Sequence, residues 1–147
     1  MRNRSFATLG TLALLAAASA FGQERLTADI PFEFHIANTV MPAGHYDVDL
    51  SAINTRGSLT VGCRGCGVRP FASAYSVGGG PNENTECRLV FNKYGDTYFL
   101  SEVWSGGRAQ GSALNKSKTE REIARMTPGI ARVTLPARTS QVLLAQR

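Results

Sequence analysis

The 147-residue sequence predicts an all-β fold: a single antiparallel β-sandwich or a partly closed barrel with one short helix. Apolar and polar residues alternate with period two from Leu26 onward, which is typical of half-buried strands. Turn-forming residues recur at short intervals, and one helix-capping sequence begins at Ser117. We therefore predict one β-rich domain over residues 23–147, with about six to eight strands.

The N-terminus is typical of an export signal. Two arginines among the first four residues precede an uncharged, mostly apolar run over residues 6–18. Ala18-Ser19-Ala20 fits the small-residue cleavage pattern, and Ala20-Phe21-Gly22 offers a second frame. The apolar run is shorter than the ~20 residues that span a bilayer. We therefore predict a signal peptide over residues 1–22, no transmembrane segment in the mature chain, and a secreted or periplasmic location.

Strand alternation is clearest directly after this signal. The even positions from Leu26 to Ile36 are apolar and the odd positions are mostly polar, and the pattern resumes from Tyr46 to Leu50. Pro31 cannot donate to a ladder, so the first strand should be an edge strand or break there. Pro42-Ala43-Gly44 suits a turn. The two segments are therefore predicted to pair as a hairpin with an acidic, histidine-containing outer face.

Further strands are predicted at residues 58–63 and 71–77, followed by an exposed, mobile loop over residues 78–84. Gly95-Asp96 suits the turn of a second hairpin. This hairpin carries large apolar groups on both faces, which predicts a central position covered on both sides. Its aromatic residues would form a carbohydrate or peptide platform if exposed, but core positions are the favoured interpretation. These residues are Tyr94, Tyr98, Phe99 and Trp104.

One short helix interrupts the strands. Ser117-Lys118-Thr119-Glu120 is a capping box, in which the Ser117 hydroxyl accepts from the backbone and Glu120 reaches back to the Ser117 amide. Thr127-Pro128-Gly129 ends the helix. Ile123, Ala124 and Met126 form a narrow apolar strip, so the helix must pack on the sheet to be stable. Closing strands are predicted around residues 133–135 and 142–145.

Four motifs resemble those of a group of small secreted bacterial β proteins that have no assigned function. The motifs are Ile30-Pro31-Phe32-Glu33-Phe34, Pro42-Ala43-Gly44-His45-Tyr46, Leu89 to Leu100 (LVFNKYGDTYFL) and Lys116-Ser117-Lys118. The similarity extends over most of the mature chain. It implies export and a single β-rich domain, and it brings no catalytic residue. The Cys63-Arg64-Gly65-Cys66 segment departs from the pattern.

Three cysteines constrain the chemistry of the chain. Cys63 and Cys87 share the parity of neighbouring apolar residues, so both are predicted to point inward. A disulfide from Cys63 or Cys66 to Cys87 would close a loop of more than about twenty residues and stabilise the fold by about 3 kcal/mol in the chain-entropy model. This structural bridge is our first interpretation of the cysteines.

Three other uses of the cysteines are less well supported. A redox-active C-x-x-C pair normally lies at a helix N-terminus, and a β context with glycines beside Cys66 does not supply one. Haem attachment would need a histidine where Gly67 stands. A zinc site would need a fourth ligand beside the three thiols, and the chain has only two histidines. We therefore predict no cofactor and no metal.

The candidate binding residues are His35, His45 and Asp47, which share the predicted outer face of the first hairpin with Glu33. This composition is compatible with a weak metal site or an acid–base pair, and a solvated polar face is the plainer interpretation. The sequence contains no nucleophile motif such as G-x-S-x-G and no phosphate-binding loop. The residues therefore favour binding over catalysis.

Charge narrows the class of partner. The formal net charge is +5, of which two arginines belong to the predicted signal, and the remaining basic residues are mixed with acids. Nucleic-acid binders concentrate basic residues on one face, so this class is not expected. We predict an exported, non-enzymatic β domain that binds a protein, a glycan or an envelope component. The alternative is a thiol-redox or metal-binding protein that uses Cys63, Cys66 and Cys87.

Overall fold

The computed structural model describes residues 24–79 and 86–140. The predicted signal peptide, most of the predicted mobile loop and the predicted strand at residues 142–145 lie outside these ranges. The described residues form eleven strands and two short helices. The strands are β1 Arg25–Ile30, β2 Phe34–Ile36, β3 Thr39–Met41, β4 Gly44–Asp49, β5 Ser58–Cys63, β6 Phe71–Gly78, β7 Arg88–Tyr94, β8 Thr97–Trp104, β9 Gln110–Leu114, β10 Ala131–Pro136 and β11 Arg138–Thr139, and the helices are α1 Ile53–Arg56 and α2 Lys118–Met126.

All eleven strands belong to one mixed sheet, with the order β10-β7-β8-β9-β6-β5-β4-β1-β11 and the β2–β3 pair beside β8. Every pairing is antiparallel except that of β2 with β8. The sheet is not closed. However, β10 and β11 are consecutive on the chain and pair with β7 and β1, so residues 131–139 link the two ends of the strand order. The all-β prediction is confirmed, with eleven strands in the described residues where about six to eight were expected.

Inward-facing side chains from both ends of the strand order meet in one hydrophobic core. β1 and β4 contribute buried residues such as Leu26 and Val48, and β7 contributes Phe91, which is fully buried. The rings of Phe34 and Phe32 lie edge-on to Phe91, with centroids 5.4 Å and 5.1 Å away. The period-two alternation that predicted the strands thus also marks the core face. Phe32 is only partly buried because it lies in the break between β1 and β2.

The first predicted hairpin is divided into two pairings. β1 pairs with β4 as expected, and Leu26 lies opposite Val48. Pro31 follows the end of β1, and residues 34–36 form a separate strand that pairs with β3 and β8. The turn of this inner hairpin contains Ala37, whose φ of 53° is uncommon for a residue with a side chain. Pro42 and Ala43 only connect β3 to β4, so the expected turn there does not join the two long segments.

The second hairpin and the longer helix follow the prediction more closely. β7 and β8 pair around Gly95 and Asp96, with Gly95 at a φ of 59°. The Oγ atom of Ser117 accepts a hydrogen bond from the backbone N–H of Glu120 at 3.1 Å, which caps α2. Between β4 and β5, Ile53–Arg56 form the one-turn helix α1. None of the described helices is both long and apolar enough to cross a membrane.

Candidate functional site

The structure does not bring His35 to the other two candidate binding residues. His45 and Asp47 lie on β4 at alternating positions and share its outward side. His35 lies on β2, where its ring stacks on that of Phe99 with centroids 4.6 Å apart. The separation follows from the break at Pro31, because β2 pairs with β3 and β8 and not with β4. The candidate site therefore keeps His45 and Asp47 without His35.

These two residues belong to a surface that we name the outer face, the solvent side of β1, β4, β5 and β6. Its charged side chains pair with one another across neighbouring strands. His45 Nδ1 contacts Asp29 Oδ1, and both side chains are mostly exposed. Asp47 accepts two hydrogen bonds from the Arg64 guanidinium, each 3.0 Å long. This bidentate contact raises the pKa of Arg64 above its usual value.

A third pair continues the outer face along β4. Arg25 Nη2 lies 3.5 Å from Asp49 Oδ2. Burial opposes ionisation of Asp49, but hydrogen bonds from Ser51 and the charge of Arg25 outweigh it, so the pKa of Asp49 lies below its usual value. All three aspartates of this surface therefore have a partner: Asp29 contacts His45, Asp47 contacts Arg64 and Asp49 contacts Arg25. Such groups favour structure and recognition over proton transfer.

Two exposed aromatic residues on β6 were not identified from the sequence. Phe71 is 74% exposed and Tyr75 is 53% exposed, and both point to the outer face. The buried residues of the same strand are Ala72 and Ala74. The sequence alternates alanine with larger residues along β6, and only every second residue of a strand can face the core. This alternation was the signal by which the two exposed aromatic residues were predictable. The outer face thus combines paired charges with aromatic side chains.

The predicted aromatic platform on the second hairpin is mostly buried, as the core interpretation expected. Trp104 is 7% exposed and Tyr94 and Phe99 are each 2% exposed. The Arg88 guanidinium lies 4.6 Å from the Trp104 ring centroid, and the indole Nε1 donates to Glu102 at 2.8 Å. A cleft of about 460 Å³ passes this cluster. Arg88 and Glu102 in this cleft already contact the indole, and the indole itself is covered, so the cleft offers no free aromatic surface.

A buried carboxylate joins α2 to the sheet. Glu120 is 4% exposed, and its Oε1 accepts hydrogen bonds from Asn92 Nδ2 at 3.0 Å and from the Tyr94 hydroxyl at 3.1 Å. Glu120 therefore reaches into the sheet, whereas the capping box predicted that it would return to the Ser117 amide. Burial, together with the charge of Glu120, raises the pKa of Tyr94 to about 12. This arrangement fixes the helix on the sheet.

The cysteines pair differently from the expected bridge. Cys63 and Cys66 form a disulfide with their Cα atoms 5.4 Å apart, and Cys87 is free. The turn after β5 makes this short bridge possible, because Gly65 and Gly67 adopt positive φ angles of 91° and 71°. The Cys87 Sγ instead accepts from the Gly106 N–H at 3.1 Å and lies 3.2 Å from Thr139 Oγ1. A long-loop bridge to Cys87 is therefore not formed.

Comparisons with known proteins leave the family open. No family model, no curated protein and no solved structure matches the chain. The resemblance to small secreted β proteins therefore stays a prediction. Within the described ranges, no three His, Cys, Asp or Glu side chains are grouped so that they could hold a metal ion. The outer face is the candidate site that the geometry supports best.

Proposed function

We propose that the protein is an exported, non-enzymatic β domain that binds a protein, a glycan or an envelope component through its outer face. One observation carries this proposal: Phe71 and Tyr75 are exposed on β6, a strand that lies between β9 and β5 in the sheet. Large aromatic side chains on a strand that has neighbours on both sides normally face the core. Their outward position favours a surface that a partner covers.

The chemistry of the surrounding groups supports binding over turnover. A general base or nucleophile needs a free proton acceptor in reach of a substrate. On the outer face, Asp47 and Asp49 each already contact an arginine. Export itself rests on the sequence of residues 1–22.

A sedimentation assay with cell-envelope material of the source organism tests the proposal. The comparison is between the unmodified protein and the double variant F71S/Y75S, with V40S/M126S as the matched control. Val40 and Met126 are also exposed, at 51% and 75%, but they lie on β3 and α2. We expect the unmodified protein and the control to sediment with the envelope and the outer-face variant to stay in solution. Equal sedimentation of all three proteins would contradict the proposal.

The Cys63–Cys66 disulfide favours a second candidate function in thiol–disulfide exchange. Cys66 is exposed and Cys63 is buried, so an attacking thiolate reaches Cys66 first. In the reduced form, the two thiols would pass two electrons and two protons to a disulfide in another protein and become oxidised again. Reduction of a peptide disulfide by the pre-reduced protein, absent in the C66S variant, would support this function. No reaction beyond that of C66S would exclude it.

A further inference from the structure

Four side chains form a row on the outer face, along β6 and the two residues before it. Arg69, Phe71, Ser73 and Tyr75 occupy alternate positions, and all four are exposed. Strands rise by about 3.3 Å per residue, so the two aromatic residues lie about 13 Å apart and the row is about 20 Å long. The backbone beside Arg69 is held to β5, because the Val61 N–H donates to Pro70 O at 3.0 Å. We name this row the aromatic strip.

Small neighbours leave the rings of the aromatic strip accessible. Thr60 lies opposite Phe71 and Ser58 lies opposite Ser73 on β5, while Ala113 lies opposite Tyr75 on β9. None of these side chains is long enough to cover a ring. The strip therefore presents two aromatic rings beside several hydroxyl groups. Hydroxyls can donate to and accept from a polar ligand, and ring faces attract weakly positive C–H groups.

Arg69 gives the strip a charge that is not neutralised within the described chain. Its guanidinium lies over Gly62, with Nε 2.8 Å from the position that a Cβ atom would take there. Arg69 forms no ion pair with a described residue, whereas Arg25 and Arg64 on the same face are paired. An unpaired guanidinium is suited to a carboxylate, which it can bind through two parallel hydrogen bonds.

We propose that the aromatic strip binds a saccharide chain that carries carboxylate groups. The inference rests on the proposed function and names its ligand. Sugar rings supply C–H faces for Phe71 and Tyr75, sugar hydroxyls match Ser73 and its neighbours, and a uronic acid carboxylate matches Arg69. A polyanion such as nucleic acid fits less well, because the strip contains a single cationic side chain, whereas phosphate-binding surfaces concentrate several.

The test is calorimetric titration of the purified protein with oligogalacturonate, a uronic acid oligomer, and with a neutral gluco-oligosaccharide of equal length. We expect oligogalacturonate to bind more tightly than the neutral sugar. The variants F71A and Y75A should each weaken binding about tenfold or more, and R69Q should remove the preference for the acidic sugar. V40A is the control, since Val40 is exposed on β3. Thermal melting of every variant checks that these exposed substitutions leave the fold intact.

The outcomes separate this inference from the proposed function. Saccharide binding that is unchanged in F71A, Y75A and R69Q overturns the strip as the site. If no saccharide binds but F71S/Y75S still abolishes envelope sedimentation, the partner is a protein or another component, and only the saccharide inference fails. If F71S/Y75S also sediments with the envelope like the unmodified protein, both the saccharide inference and the proposed function fail. A preference for the neutral sugar would overturn the role of Arg69.

Discussion

Glu120 is a buried carboxylate, and the hydrogen bonds that it accepts from two side chains offset the free-energy cost of its burial. It is 4% exposed and accepts from Asn92 and Tyr94, which are themselves buried. A buried charge without partners is strongly unfavourable, and buried donors without an acceptor cost about 1–3 kcal/mol each. The three residues therefore depend on one another, and removing the carboxylate should cost more than an ordinary surface substitution on the same helix.

We expect E120A to lower the free energy of unfolding by about 2–4 kcal/mol, because both donors lose their acceptor. E120Q keeps an amide oxygen at the same place and should cost less. E122A is the matched control, since Glu122 is exposed on the same helix and should change stability by less than about 0.5 kcal/mol. Urea denaturation measures all three. Equal stability of E120A and E122A would mean that the buried network contributes nothing.

Tyr94 should make the stability sensitive to alkaline pH. Its pKa is about 12 in the folded protein and 10.0 for an unperturbed tyrosine, because burial and the charge of Glu120 favour the neutral phenol. The resulting stabilisation is complete below pH 10 and is lost as the pH rises towards 12. The stability difference between the unmodified protein and Y94F should therefore stay constant up to pH 10 and shift against the unmodified protein above it. Other tyrosines cancel in this difference, and a constant difference to pH 12 would contradict the assignment.

At the scale of elements, β8 and β9 fit together because Gly111 has no side chain. A Cβ atom at Gly111 would lie 2.6–2.7 Å from three carbons of the Trp104 indole. These are closer than atoms in proteins pack, so the indole or the strand would have to move. The Arg88 guanidinium also lies on this indole, 4.6 Å from its centroid. The Trp104 indole thus lies between the Gly111 backbone and the Arg88 guanidinium. These two contacts explain why Trp104 is buried although it is not part of the main hydrophobic core.

We expect G111A to destabilise the protein by about 1–3 kcal/mol through this overpacking. G78A is the matched control on the adjoining strand, because a Cβ atom there meets nothing within 4 Å. The control should be neutral or slightly stabilising, since alanine restricts the unfolded chain. Adding W104V to G111A should recover part of the loss, as expected for two residues in contact. Thermal or urea unfolding measures the stability of these variants. If the loss in G111A/W104V equals the sum of the losses in the two single variants, the two residues are not in contact.

Elements with strong local signals were predictable from the sequence, and pairings between distant segments were not. β5 begins and ends as predicted, and α2 starts after its Ser117 cap, since turn and cap residues act locally. β9 was missed because Gln110–Leu114 consists largely of small residues without alternation, and it is a strand because β8 and β6 pair with it. Within the site, the alternation along β4 correctly predicted that His45 and Asp47 share one side of the strand. The position of His35 could not be predicted, because it depends on where β1 ends and on which strands β2 pairs with.

At the scale of the molecule, residues 131–139 connect the two ends of the strand order, because they contain both β10 and β11. β10 pairs with β7, β11 pairs with β1, and Ala137 lies between them with its N–H bonded to Cys87 O at 3.0 Å. β1 in turn begins one residue after Glu24, which contacts Arg108 and Ser105 in the loop before β9. The first described residues are therefore part of the packed domain. A leader preceding them could be removed without cutting into β1.

The last prediction concerns that leader. If residues 1–22 direct export, a signal peptidase should cleave after one of the small residues near Ala20 or Gly22, so that the mature chain starts between Phe21 and Gln23. Glu24 and Arg25 would then remain to pair with Arg108 and Asp49. Intact mass and N-terminal sequencing of protein from the exported fraction measure the cleavage point. Replacing Ala18 and Ala20 with bulky residues should block processing, whereas the same change at Ala16 and Ala17 should not. Exported protein that retains Met1 would refute the assignment of residues 1–22 as a cleaved signal.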